Sequence, residues 1–192
     1  MKLVVGLGNP EPRYARTRHN VGWRIAEHLA DRMDAGPWKE KFSALVTEVT
    51  WGARRIAVAR PTTYMNASGL AVRSLVDFWK LAHEDLVVLV DDLWLDLGRL
   101  RIRGGGTDGG HNGLASVIEH LGHDEFARLR VGVGPAPDQE EHAAFVLSEF
   151  REAEVETIEQ AIHRAADAVR CWVGEGLEAA MNRFNRAADS DD

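Results

Sequence analysis

A short apolar run at residues 3–5 stops at Gly6-Leu7-Gly8, and a polar loop then leads into a helical pattern that begins at His19-Asn20. With a hairpin and further alternating strands and helices along the chain, this strand–loop–helix suggests a mixed sheet covered by helices. Glycines just past a strand allow a tight turn or a close backbone approach to a ligand. The loop that follows carries Asn9, Tyr14, Arg13, Arg16, Arg18 and His19, with little apolar material. A segment that builds so little core is a place for function.

The rest of the chain extends this reading. Residues 2–7 are predicted to be a strand. Residues 20–34 are predicted to be a helix, with Val21, Ile25, Leu29 and Met33 at helical spacing. Residues 42–50 and 54–60 form a hairpin through Trp51-Gly52. Residues 68–81 form a second helix with Ser68 as a candidate N-cap. The continuous apolar run at 86–90 reads as a buried strand that stops at Asp91. Residues 98–103 and 128–134 are further strands, and 112–121 is a short helix. Val155, Ile158, Ile162, Ala165, Val169 and Trp172 keep helical spacing and predict a long amphipathic helix. A last helix covers about 175–186. The expected fold is a single α/β domain over residues 1–186, a twisted, mixed and largely parallel β-sheet surrounded by α-helices. Residues 187–192 are expected to be an acidic, disordered tail.

Composition limits the function classes. No stretch reaches the ~18 consecutive apolar residues of a membrane span, and no signal-type segment follows Met1-Lys2. The single cysteine, Cys171, excludes an internal disulfide framework and suits a reducing cytosol. Its place beside Trp172 in a helical pattern gives it a packing role. Net charge is −7, but the charge is unevenly spread. Residues 138–192 hold 14 acidic residues against 5 arginines, which leaves the preceding part slightly basic. There Arg99, Arg101 and Arg103 alternate on one predicted strand, and Arg128 and Arg130 on another. Alternation at period two puts each set on one face. Such a stripe is either a solvated sheet face or a phosphate-binding patch with salt-sensitive affinity.

Four polar clusters fall at strand–loop junctions, which converge at one rim in a sheet-centred fold. They are Asn9 with His19; the segment 60–69, RPTTYMNASG; Asp91-Asp92; and the segment 104–113, GGGTDGGHNG, with six glycines in ten residues. A dinucleotide fingerprint is excluded because Glu11 stands where its third glycine belongs. No Lys-Ser/Thr follows the later glycines, as a phosphate-binding loop requires. Histidine suits proton transfer near neutral pH, and a carboxylate on one ring nitrogen fixes the tautomer. His19 with Asp91 is such a candidate dyad. No nucleophile elbow is present, so the deduction is a base that activates water directly. Asn9, Asn66 and Asn112 are candidate amide donors to a carbonyl or oxyanion; Asn66 also reads as a plain helix cap. His111, His120 and His123 lack a zinc-type spacing, so no metal is expected.

Taken together, GLGNPEPRYARTRHNVGW (6–23), RPTTYMNASGLAV (60–72), VDDLWLDLGRLRIRGGG (90–106), GGHNGLASVIEHLG (109–122) and FARLRVGVGPAP (126–137) resemble the bacterial peptidyl-tRNA hydrolase family. The resemblance implies an enzyme that cleaves the ester between a peptide and the terminal ribose of tRNA, without metal or organic cofactor. It implies that His19 activates water and Asp91 is its partner, and that Asn9, Asn66 and Asn112 hold the ester and peptide backbone. Tyr14 and Met65 then wall the cleft, and Arg101, Arg103 and Arg130 contact acceptor-stem phosphates. A cytoplasmic monomer that recycles tRNA in translation is the expected setting. The chain departs from the family pattern at Trp94 and Asp96, where an acidic residue and then proline are usual, and at Asp108, where a small or neutral residue is usual. Residues 138–152 follow the pattern poorly and are expected to form a mobile lid.

Overall fold

The computed structural model describes residues 1–136 and 141–186. The expected acidic tail and residues 138–140 of the expected lid lie outside the described residues. Seven strands form one mixed sheet: β1 (Lys2–Gly6), β2 (Lys39–Lys41), β3 (Ala44–Trp51), β4 (Arg54–Pro61), β5 (Leu86–Asp96), β6 (Leu100–Arg103) and β7 (Ala127–Gly134). Their order across the sheet is β2-β3-β4-β1-β5-β7-β6. The central strands β4, β1, β5 and β7 run parallel, while β2, β3 and β6 are antiparallel to their neighbours. The helices are α1 (Val21–Arg32), α2 (Ser68–Trp79), α3 (Asn112–Leu121), α4 (His142–Val146), α5 (Glu152–Glu175) and α6 (Leu177–Phe184). No helix among the described residues is long and apolar enough to cross a membrane.

Strand parity builds the two cores, because successive side chains point to opposite faces. Val4, Val87, Leu89, Leu129 and Val131 pack with α1 and α5. Leu3, Val5, Val88 and Val90 pack on the other face with α2 and α3. Asp91 continues the parity of Val87 and Leu89, so it faces the side where the chain enters α1. Cys171 is buried in the α5 face of the core.

Four local expectations change. Gly6 serves packing rather than a ligand: a Cβ there would stand 2.1 Å from the Gly22 carbonyl oxygen, so α1 can cross β1 only at this glycine pair. The strand predicted to stop at Asp91 runs on to Asp96, because β7 offers Val131, Gly132 and Gly134 as ladder partners, with a register shift between Asp92 and Asp96. Both aspartates therefore lie within β5. Ser68 is not a cap. A 3-10 turn, Met65–Ala67, runs straight into α2, and the Ser68 hydroxyl is buried with no partner among the described residues. Finally, the short strand β2 carries no periodic signal at three residues and was not expected; Phe42 and Ser43, both at positive φ, turn it into β3.

Candidate active site

His19 arrives on a 3-10 turn, Arg18–Asn20, that leads directly into α1. Its Nδ1 lies 2.8 Å from Asp91 Oδ1, and both groups are buried. The expected dyad is thus assembled. A second imidazole shares the same oxygen: His111 Nε2 lies 2.9 Å from Asp91 Oδ1. The two rings stand 4.9 Å apart at 48°. His111 precedes α3 and caps it, its Nδ1 accepting from the Gly113 and Leu114 backbone N–H groups at 3.1 and 3.2 Å. An atom that accepts two N–H bonds carries no proton, so Nε2 bears the hydrogen and donates to Asp91. One helix cap thereby sets a tautomer in the site. Burial alone would raise the Asp91 carboxyl, but the charge and hydrogen bonds of His19 and His111 outweigh it and hold the group well below the usual carboxylate range. The carboxylate is ionised at any physiological pH. With Asp91 accepting from His19 Nδ1–H, His19 Nε2 keeps its lone pair.

In sequence, His111 lacks a metal-ligand spacing and stands outside the His19–Asp91 dyad. The available signal was its position at the first turn of a well-marked helix, directly after a glycine-rich loop. Among the described residues, His19, Asp91 and His111 are also a metal-capable group, with ligand atoms within 4.8 Å of one another. Their contacts, however, are hydrogen-bond lengths to a single shared oxygen, and His111 Nδ1 is committed to α3. A metal bridging the three would have to displace both bonds to Asp91 Oδ1.

Asn9 is fixed from two sides. Its backbone N–H donates to Asn20 Oδ1 at 2.9 Å, and its carbonyl accepts from Asn20 Nδ2 at 3.0 Å. Its own Oδ1 accepts from the Met65 backbone N–H at 2.9 Å. Since Met65 N–H is a donor, the Asn9 amide cannot be flipped, and Nδ2 is the atom it presents. Met65 is buried, with its sulfur against Gly113 beside Asn112. Asn66 is exposed in the turn before α2 and makes no capping bond, so the plain-cap reading is not met. Asn112 is exposed at the start of α3 and lines the cleft. Tyr14 is partly buried beneath Arg13, outside that lining.

The arginines divide. Arg101 lies opposite Arg130, and Arg103 opposite Arg128, so all four share one sheet face. Like charges directly opposed are unfavourable, and internal acceptors relieve them on β7. Arg128 is buried and donates to the carbonyls of Gly106, Thr107, Asp124 and Phe126. Arg130 pairs with Asp92 at 3.2 Å and donates to the Thr107 and Asp108 carbonyls at 2.9 Å. The glycine-rich loop is therefore held by its carbonyls on two arginines. Gly109 suits this loop because its φ of +62° strains any L side chain, and a Cβ would also stand 2.8 Å from Arg130 Nη1. Arg101 and Arg103 remain exposed, with no ion pair among the described residues.

Above Asp91 opens a cleft of about 220 Å³. His19, Asp91 and His111 lie in it, and Asn112, Arg130, Trp94 and His142 are among its lining. The wall formed by α4 is tied to the His19 turn through Arg18. This buried arginine pairs with Glu154 at 2.7 Å, donates to Val133 O at 3.3 Å, and lies over the rings of Phe145 and Phe150 at 4.5 and 4.7 Å. Its backbone N–H donates to Ser148 O at 3.0 Å. Arg18 is thus a clamp, in contrast to its solvent-facing neighbours Arg13 and Arg16.

The sequence and fold are similar to those of known proteins. The family model described as peptidyl-tRNA hydrolase matches residues 3–191. Peptidyl-tRNA hydrolase from Rhodopirellula baltica is 45% identical over 188 residues, 98% of this chain and 99% of that one. The Anaeromyxobacter dehalogenans protein of the same name is 46% identical over 192 residues and the full length of both chains. The crystal structure of peptidyl-tRNA hydrolase from Acinetobacter baumannii matches with a TM-score of 0.91 at 34% identity, over 96% of this chain and 94% of that one. With a buried His–Asp–His group at the rim of a matching sheet and full-length similarity on every side, this chain belongs to the peptidyl-tRNA hydrolase family.

Proposed function

We propose that this chain hydrolyses the ester of peptidyl-tRNA by direct attack of a water held at His19 Nε2. The observation that carries the reading is the bond from His19 Nδ1 to a buried, ionised Asp91, which leaves Nε2 as the basic atom at the cleft. His19 takes a proton from water as the oxygen adds to the ester carbonyl. The tetrahedral intermediate then expels the ribose oxygen, which takes that proton back. Asp91 stabilises the transient imidazolium and stays ionised. The Asn9 amide nitrogen and Asn112 are placed to donate to the carbonyl as it gains charge, without changing the net charge of the site. An activated ester needs no covalent intermediate, and no metal or organic cofactor is required.

The order of strands supports a direction for the substrate. Asp91 on β5 is central. The β1 and β4 loops on one side present Asn9, Met65 and Asn66; β7 and β6 on the other present Arg130, Arg101 and Arg103. The peptide lies over the first set, with Tyr14 at its outer edge, and the tRNA over the second. Contacts to the peptide backbone and to phosphates avoid choosing a side chain or a base. The enzyme acts as a cytoplasmic monomer.

Hydrolysis of an N-acetylaminoacyl-tRNA by the purified chain in the presence of a chelator tests this; tight tRNA binding without cleavage overturns it. Arg103→Ala weakens tRNA binding and lowers the log–log salt slope by about one. Equilibrium binding at several salt concentrations measures the slope, and an unchanged value removes Arg103 from the phosphate surface.

A further inference from the structure

We propose that Trp94 is a stacking platform for a base at the 3′ end of the tRNA, a specificity-determining element beyond the catalytic group. This rests on the hydrolase reading for its choice of ligand. Trp94 is 60% exposed, yet it stands at the mouth of the cleft that holds His19 and Asp91. One exposed aromatic residue is unremarkable in itself; its support is what sets it apart. Trp94 lies within the register shift of β5 between Asp92 and Asp96, and such irregularities re-aim side chains beside functional sites. The Trp94 backbone N–H donates to Asp92 Oδ1 at 2.9 Å, while Asp92 Oδ2 holds Arg130 at 3.2 Å. A single carboxylate therefore bonds both the Trp94 backbone and the Arg130 guanidinium, and both side chains line the same cleft. The His142 ring meets Trp94 edge-on, with centroids 4.9 Å apart at 88°.

A nucleotide presents the matching pair of groups, a flat base and an adjacent phosphate. The alternative occupant is an aromatic side chain of the peptide. Strand order argues against it, because Asn9, Met65 and Asn66 lie across β5 from the arginines, while Trp94 shares the cleft with Arg130. Base–aromatic stacking is tolerant of sequence and needs only a π-face, so the platform suits an enzyme that accepts many tRNAs.

The test titrates the trinucleotide CCA, the 3′ end common to tRNAs, against wild type, Trp94→Ala and Trp94→Phe, with binding read by calorimetry. The alanine variant is expected to bind roughly five- to hundredfold more weakly, and phenylalanine to restore most of the affinity. In hydrolysis of N-acetylaminoacyl-tRNA the loss falls on KM rather than kcat. Equal CCA binding by wild type and Trp94→Ala overturns the proposal. So does a loss that appears only with substrates bearing aromatic peptides, which would put the indole on the peptide side. If CCA binding depends on Trp94 but wild type does not cleave the ester, the platform is supported and the hydrolase reading fails.

Discussion

Replacing His19 with alanine lowers kcat by roughly 10²- to 10⁴-fold, the span that a positioned general base contributes, and leaves tRNA affinity nearly unchanged. Affinity survives because the ring is buried beneath the cleft and touches Asp91, whereas the exposed arginines stand on β6, away from that ring. Asp91 keeps its other partner, His111, so the carboxylate is not stranded and the variant folds. Single-turnover hydrolysis of N-acetylaminoacyl-tRNA, with tRNA binding measured in parallel, separates the two terms. Near-normal turnover by His19→Ala would remove the base assignment. A matched loss of binding would mean that the ring holds substrate rather than activating water.

Arg18→Met destabilises the fold by about 3 kcal/mol, the lower end for breaking a buried ion pair, because Glu154 retains Arg151 at 3.0 Å. The methionine keeps an apolar stem between Phe145 and Phe150, so the loss reports on charge and hydrogen bonds. Its pH dependence has a defined sign. Burial raises the Glu154 carboxyl, but hydrogen bonds from Arg151 and Arg18 prevail and hold it at about 2 against an ordinary 4.5. A depressed carboxylate stabilises the folded state above its unfolded pKa and loses that effect as pH falls through the folded one. Arg151 still holds Glu154 down in the variant and the unfolded state is common to both, so the difference between wild type and Arg18→Met is complete at neutral pH and shrinks as pH falls toward about 2. Urea denaturation at pH 7 and pH 3 measures it. A difference that stays constant with pH assigns the stability to packing of the rings instead.

Much of the architecture is legible because periodicity is a local property. The limits of α3 match the expected 112–121 at both ends, since His111 and Gly122 mark its two caps. The alternation of the arginines also holds, with Leu100 and Ile102 buried between them. The length of β5 was not legible. Whether a polar Asp91-Asp92 continues a strand depends on what the neighbouring strand offers, and β7 lies about 40 residues further along the chain.

The site divides along the same line. His19, Asp91 and the asparagines are residue types whose chemistry is intrinsic, and their motifs name them. His111 is different: its importance comes from sharing one oxygen with His19, a contact between two loops joined only through the fold. Arg18 and Arg128 look like solvent-facing cations in sequence, yet both are buried, because carbonyls, Glu154 and aromatic rings from distant segments surround them. What the sequence by itself determined was the succession of strands and helices, the residues able to do chemistry, and the family. Only the tertiary structure decided which imidazoles share a carboxylate, which arginines stay exposed and which clamp loops, and that Trp94 lines the cleft. Propensity and periodicity act over a few neighbouring residues, whereas burial and hydrogen-bond partnership are set by segments that meet only after the chain has folded.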